Sequence, residues 1–164
     1  YMGLNNGTIT NAVQVDGGKF GKGMSFDGDG DYVSVGSTVN FNTNSSAFSV
    51  WFYSLNNDSI YQNIVGGTDS ASKLIGLWGG ALRGETDTNN DYVLASVSYE
   101  INRWNHLLIS CNITNCYSYL NNVLVDTRRP TDNLTIDFIG GDSANNKPFN
   151  GSIDDVMINH YVVY

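Results

Sequence analysis

The short interval between clusters of turn-forming residues most strongly limits what this sequence can fold into. Gly, Asn, Asp and Ser cluster at 27–31, 42–46, 56–59, 66–72, 87–91 and 142–147. No segment of ten or more residues has a helical period, whereas Phe48, Val50 and Phe52 alternate as the residues on one face of a strand do. Many short strands separated by turns predict an all-β sandwich or barrel.

Further stretches of the sequence also have the composition of strands. They are 74–78, 92–97, 104–110, 117–120, 123–125, 134–139 and 153–164. Asn121 and Asn122 separate two of them and predict a two-residue turn, because asparagine tolerates positive φ. We expect Trp51 and Trp104 to pack in the core or between the sheets.

Three blocks of sequence carry a family resemblance. The first reads GKGMSFDGDGDYV at 21–33, the second RWNHLL followed by YLNNVLV between 103 and 125, and the third FNGSIDDVMI at 149–158. In this order they resemble the laminin-G-like branch of the concanavalin A-like lectin/glucanase family. The resemblance implies an antiparallel β-sandwich of concanavalin A-like jelly-roll type, as a single domain over residues 1–164.

The family pattern also raises a question about the start of the fold. Family members open with a strand before the position of Asn5, but this sequence begins at Tyr1. The first strand is therefore either missing, rebuilt from residues 1–4, or supplied by a neighbouring subunit. The apolar stretch 161–164 has strand-like composition, so strand addition into a homo-oligomer or filament is one explanation and a trimmed fragment is the other.

The charge balance argues against nucleic acid as a partner, and the short apolar runs argue against insertion into a membrane. The 164 residues carry a net charge of −8, from 16 acidic and 8 basic residues. Because nucleic-acid backbones require clusters of Lys and Arg, which this sequence lacks, we expect no nucleic acid. No apolar run reaches the about 18 residues of a membrane helix, so we expect no membrane insertion. An acidic surface suits divalent cations, and it equally serves solubility alone.

The cysteines and the glycosylation sequons indicate an extracellular or cell-surface location. Cys111 and Cys116 flank a predicted hairpin tip and are expected to form a structural disulfide, which requires an oxidising compartment. Two thiols alone are too few ligands for zinc. Sequons, in mild excess over chance, mark candidate glycosylation sites at Asn6, Asn44, Asn57, Asn112, Asn133 and Asn150.

Catalysis is the next possibility, because relatives of this fold include glycosidases. Their signature is Glu-x-Asp-x-Glu or Glu-x-Asp-x-x-Glu, which supplies a pair of carboxylates. Glu85 and Asp87 begin such a pattern, but Asn89 and Asn90 occupy the two positions allowed for the second glutamate. We therefore predict that the protein is not an enzyme.

Acidic residues in the first and third blocks predict a calcium site. Asp27, Asp29 and Asp31 alternate within a glycine-containing turn, and carboxylate oxygens are the ligands that Ca²⁺ prefers. The family resemblance adds Asp154 and Asp155 to this set. The alternative is structural, because Asp and Gly form turns and the Asp pair can cap backbone amides.

Sugar recognition combines aromatic faces with a few polar groups. Trp78, Asp87, Asn90 and Tyr92 supply both types of group within one region of the sequence and are the predicted ligand-binding residues. The favoured function is a non-catalytic extracellular recognition or adhesion module that binds a glycan or another surface ligand, assisted by calcium. The alternative is a structural subunit of an extracellular filament, a virion or a cell envelope.

Overall fold

The structure is a computed structural model that describes residues 7–56, 60–68, 74–87, 91–141 and 147–160, apart from the side chain of Asp87. These residues contain no helix, and therefore none that could cross a membrane. Their strands are β1 (Thr8–Thr10), β2 (Val13–Gly18), β3 (Gly21–Asp27), β4 (Tyr32–Phe41), β5 (Ser46–Ser54), β6 (Gln62–Gly66), β7 (Leu74–Trp78), β8 (Ala81–Asp87), β9 (Asp91–Ser98), β10 (Trp104–Cys111), β11 (Cys116–Leu120), β12 (Val123–Arg128), β13 (Leu134–Ile139) and β14 (Asn150–His160).

The strands form two sheets of seven strands each. Sheet A has the order β1-β4-β13-β6-β7-β8-β9, and sheet B has the order β12-β11-β10-β5-β14-β3-β2. Every pair of neighbours is antiparallel. The two sheets pack face to face as a jelly-roll sandwich, so the predicted fold class is confirmed.

Strand β5 shows why these residues form a sandwich. Phe48, Val50 and Phe52 are fully buried between the sheets. Trp51 and Tyr53 alternate with them and therefore lie on the outer face of sheet B, half-buried. The same alternation buries Leu134 and Ile136 on β13 and Leu107 and Ile109 on β10.

The prediction that Trp51 and Trp104 lie in the core or between the sheets is wrong. Trp104 pairs with Tyr53, and His106 pairs with Trp51, all on the outer face of sheet B. The indole of Trp51 stacks on the His106 ring at a centroid distance of 4.7 Å. Because successive strand residues point to opposite faces, the burial of Phe52 on the inside requires Trp51 on the outside.

Two hydrogen bonds close one side of the sandwich. The Asp126 carboxylate on β12 accepts a hydrogen bond from the Ala95 amide on β9 at 2.7 Å, and the Ser118 hydroxyl on β11 donates to the Val93 carbonyl at 2.9 Å. Burial opposes ionisation of Asp126, but the Ala95 amide and the Arg128 guanidinium outweigh it and lower the pKa of Asp126. These contacts join an edge of sheet A to an edge of sheet B.

The predicted hairpin features are present. Cys111 and Cys116 form a disulfide and are directly opposite each other in the β10–β11 pair. Asn121 and Asn122 adopt φ values of 50° and 68°, as a two-residue hairpin turn requires.

At the start of the described chain, β1 pairs with β4. Residues 1–6 and 161–164 lie outside the described residues, so strand addition between subunits stays a prediction.

Candidate functional site

A stack of two aromatic rings lies on the outer face of sheet A. Tyr61 directly precedes β6 and Trp78 ends β7, and the pairing of Gln62 with Leu77 places the two aromatic residues side by side. Their rings are parallel to within 3°, with centroids 4.8 Å apart. The Trp78 side chain is the more accessible of the two, since the residue is 37% exposed. We call this pair the aromatic platform.

Two cations lie against the aromatic platform. The Arg83 guanidinium carbon is 4.2 Å from the centroid of the Trp78 ring, and the Lys147 ammonium is 5.7 Å from the centroid of the Tyr61 ring. Arg83 is held in place by a 2.6 Å hydrogen bond from Nε to the Ser96 hydroxyl and by the Glu85 carboxylate, 3.7 Å away. Cation–π contacts of this kind attract the cations to the ring faces and stabilise their arrangement.

The protonation of Tyr61 follows from the same neighbours. Burial raises the pKa of the Tyr61 hydroxyl, and the Glu85 carboxylate raises it further, while Arg83 partly opposes both effects. Tyr61 therefore remains a neutral phenol near pH 7. Its hydroxyl can donate a hydrogen bond at the edge of the platform.

The structure brings only part of the predicted ligand set together. Trp78 belongs to the platform, and Tyr92 on β9 pairs with Glu85 on β8, next to Arg83. Asp87 pairs with Asp91 near the far end of the same hairpin, but its side chain is outside the described residues. Asn90 also lies outside them.

The selection of ligand-binding residues from sequence missed Tyr61, Arg83 and Glu85. One sequence signal for Arg83 was present, because Gly79-Gly80 follows the predicted strand 74–78 and is a two-residue turn pair. In the structure both glycines adopt the positive φ of such a turn, 57° and 78°. A two-residue turn there pairs Trp78 with Ala81, which places Arg83 on the face that Trp78 occupies. No local pattern connects Tyr61 with this hairpin, because β6 and β7 are joined by residues 67–73.

The first acidic group forms a self-bonded turn between β3 and β4. The Asp31 carboxylate is buried and accepts a hydrogen bond from the Asp27 amide at 2.8 Å, while Asp27 Oδ1 accepts one from the Asp29 amide at 2.8 Å. Burial raises the pKa of Asp31, and the neighbouring carboxylates of Asp27 and Asp29 raise it further. Two carboxylate oxygens of this group therefore already accept hydrogen bonds from backbone amides. This is expected if the aspartates serve only to form the turn.

The second acidic group occupies a different place in sheet B. Asp154 Oδ2 accepts a hydrogen bond from the Phe20 amide at 3.0 Å, and Oδ1 accepts one from the Asp155 amide at 2.8 Å. Asp155 has a φ of 52° at the bulge of β14. These contacts anchor the β2–β3 hairpin over sheet B and shape the bulge.

The two acidic groups do not converge on one ion. Asp27 pairs with Asn150, and Asp154 lies four residues further along β14. At about 3.3 Å per residue this separation is about 13 Å, whereas Ca²⁺ ligands lie about 2.3–2.6 Å from the ion. Within the part of the chain that the structure describes, no three acidic, His or Cys side chains are grouped to hold a metal. Calcium stays a prediction, restricted to the turn at Asp27, Asp29 and Asp31.

Three sequons gather at one end of the sandwich. Asn44, Asn112 and Asn133 are all exposed. Asn44 and Asn112 line a cleft of about 230 Å³ beside the disulfide hairpin, and the Thr43 amide donates to Asn133 Oδ1 at 3.0 Å. Asn150 lies at the opposite end, paired with Asp27, while Asn6 and Asn57 lie outside the described residues.

The jelly-roll sandwich thus carries aromatic and charged side chains together on the outer face of sheet A. The Laminin_G_3 family model, described as the concanavalin A-like lectin/glucanases superfamily, matches residues 27–163. The chain therefore belongs to this superfamily. Among curated proteins, no sequence matches it significantly.

Solved structures share the fold at low sequence identity. Domain 4 of AbnA, an extracellular GH43 arabinanase from Geobacillus stearothermophilus solved with arabinotriose, is 19% identical, with a TM-score of 0.64 over 94% of this chain and 82% of that one. A sialidase from Trypanosoma rangeli, solved with sialic acid, is 13% identical, with a TM-score of 0.62 over 97% of this chain. This chain spans only 28% of the length of that sialidase.

Proposed function

We propose that this domain is a non-catalytic extracellular module that binds a glycan on the outer face of sheet A. The observation that carries the proposal is the aromatic platform, in which an exposed Trp78 is stacked parallel to Tyr61 and is contacted by Arg83. The similar arabinanase domain was solved with arabinotriose, which supports a saccharide as the ligand class.

The platform suits the chemistry of sugars. A pyranose or furanose ring has apolar C–H groups that pack against the exposed edge of the aromatic pair, and a rim of hydroxyl groups that needs hydrogen-bond partners. Arg83, Tyr61 and Glu85 place donors and acceptors beside the rings. Because Tyr61 and Arg83 hold the Trp78 indole in place, little side-chain entropy is lost on binding.

The placement of the glutamates supports binding without hydrolysis. Glu85 has Leu74 and Tyr92 as its cross-strand neighbours and interacts with Arg83. The other glutamate, Glu100, lies next to Arg103, which it contacts at 3.3 Å. Retaining glycosidases need two carboxyl groups about 5–5.5 Å apart, and among the described side chains the cross-strand neighbours of Glu85, Leu74 and Tyr92, supply no second one.

The disulfide supports an extracellular setting, since such bonds persist in oxidising compartments.

Calcium enters the proposal only at the β3–β4 turn. If the turn binds Ca²⁺, the melting temperature of the wild-type domain rises with CaCl₂ and returns to its apo value with EGTA, and Asp29→Ala abolishes this response. Equal melting curves in CaCl₂ and EGTA would remove calcium from the proposal and leave the glycan site intact.

The proposal is tested by glycan binding. We would screen the purified domain against immobilised arabino-, xylo-, cello- and manno-oligosaccharides, and measure affinity for the retained ones by calorimetry. Trp78→Ala should weaken binding at least tenfold, because the platform loses its accessible ring. Phe20→Ala is the control, since Phe20 is 65% exposed on the opposite sheet. Retention of no saccharide, or equal loss in both variants, would overturn the proposal.

A further inference from the structure

We propose that Asn63 is the residue that accepts a hydrogen bond from a hydroxyl of the bound saccharide, an inference that rests on the proposed function. Asn63 lies on β6, two residues after Tyr61 and therefore on the same outer face of sheet A. Its partner across the sheet is Gly76, and Trp78 lies two residues further along β7. Asn63 is thus next to the aromatic platform, about 7 Å along the strand.

The side chain of Asn63 has an unused acceptor. The residue is 2% exposed, and its Oδ1 is the one buried side-chain polar atom without a hydrogen-bond partner among residues 7–56, 60–68, 74–87, 91–141 and 147–160. The backbone amide of Asn63, in contrast, donates a hydrogen bond to the Lys147 carbonyl oxygen at 3.0 Å. Buried polar atoms in native proteins are almost always paired, and an exception calls for an explanation, such as a bound ligand group or a water molecule.

Gly66 makes room for the Asn63 amide. A Cβ on Gly66 would lie 3.0 Å from Asn63 Nδ2 and 3.5 Å from the Leu74 Cβ, so the amide lies directly over Gly66. The amide is therefore next to the Gly66 main chain and the aliphatic Leu74, and Oδ1 has no hydrogen-bond partner there.

The unpaired oxygen can reach a ligand at low cost. The χ2 torsion of asparagine is broad, so the amide turns without a shift of the backbone. Oδ1 has no hydrogen bond, so the rotation breaks none at that atom. A saccharide bound against the exposed edge of the platform presents hydroxyl donors at its rim, and one of them satisfies Oδ1. A site built to bond a hydroxyl rejects an analogue that lacks it far more strongly than an apolar site does.

The test uses Asn63→Leu, which keeps the approximate volume and removes the orphan acceptor. We expect its melting temperature to equal or exceed that of the wild type, while its affinity for arabinotriose, or for whichever of xylo-, cello- or mannotriose the wild type binds, falls at least tenfold. Asn40→Leu, an exposed strand position on β4, is the control and should bind as the wild type does. A purely structural Asn63 would give the reverse pattern, a lower melting temperature with unchanged affinity.

Monodeoxy analogues of the bound trisaccharide keep the proposal testable if Asn63→Leu is unstable. The wild type should bind one analogue at least tenfold more weakly than the parent, and Asn63→Ser, with a shorter side chain that cannot reach the ligand, should bind that analogue and the parent equally. If the wild type binds every analogue as tightly as the parent, or if the variant still discriminates, Asn63 has no such role although the glycan site stands. If the wild type binds no saccharide at all, the proposed function itself has failed.

Discussion

Replacing Gly151 with alanine should strongly destabilise the domain. Gly151 lies in the middle of sheet B, between Phe26 on β3 and Ser54 on β5. Its φ is 151°, and an added Cβ would lie 1.9 Å from the Tyr53 carbonyl oxygen and 3.0 Å from a ring carbon of Phe149. Because β3 and β5 are hydrogen-bonded to β14 on its two sides, the backbone of β14 cannot move away from this contact.

The expected cost follows from two terms. Overpacking of a well-packed site costs about 1–3 kcal/mol, and an L side chain in a glycine region of φ costs about 1–3 kcal/mol more. The sum is about 4 kcal/mol, a large part of the about 5–15 kcal/mol that stabilises an ordinary domain. For a chain of this size, each kcal/mol corresponds to about 2–4 °C, so the melting temperature should fall by about 8–16 °C.

Thermal and urea unfolding, followed by tryptophan fluorescence, would measure this effect. The matched control is Gly17→Ala, because no atom lies within 4 Å of a Cβ added there. That variant should differ from the wild type by less than about 0.5 kcal/mol. A Gly151→Ala protein that melts within 2 °C of the wild type would refute the packing of β14 against Tyr53.

Three further predictions follow from the structure. Replacing Cys111 and Cys116 together by alanine should cost about 2 kcal/mol in urea unfolding, since the bond closes only a short loop; no loss would contradict it. The lowered pKa of Asp126 means that its stabilisation is present above the unfolded-state pKa and is lost as pH falls through the folded pKa. Asp126→Asn should therefore destabilise the domain at pH 7 by about 1.5–3 kcal/mol, and the difference should vanish at acidic pH; a pH-independent difference would contradict this. When secreted from a eukaryotic host, the domain should carry an N-glycan at the exposed Asn112, detected by mass spectrometry and absent from Asn112→Gln.

The fold was accessible from sequence where a strand has one buried face. The stretches 74–78 and 134–139 were predicted with the bounds that β7 and β13 have. Period-two alternation and turn residues are local properties, so the chain displays them before it folds. Strands β1, β2, β3, β4, β6 and β8 were not among the predicted strands, although β3 and part of β4 lie within the first family block. Residues such as Gly17, Gly18 and Gly36 interrupt the alternation there.

The acidic residues illustrate the limit of motif reasoning. Asp27 and Asp154 belong to blocks that the family pattern places together, and the structure does pair β3 with β14. The register of that pair, however, sets Asp27 opposite Asn150 and leaves Asp154 next to the Phe20 amide. The register of a strand pair depends on the bulges and turns of the folded sheet, and the spacing of residues within a motif does not determine it.

The sequence by itself determined the all-β class, the disulfide hairpin and the Asn121-Asn122 turn, because alternation, loop length and tolerance of positive φ are properties of neighbouring residues. The choice of a sandwich over a barrel came from the resemblance of the three blocks to a known family. Only the tertiary structure placed Tyr61 on Trp78, Arg83 over the Trp78 ring and Asn63 beside them. These residues come from three strands whose register is set by hydrogen bonds across sheet A. The candidate site is therefore a product of strand pairing, a long-range property that no local pattern of residues records.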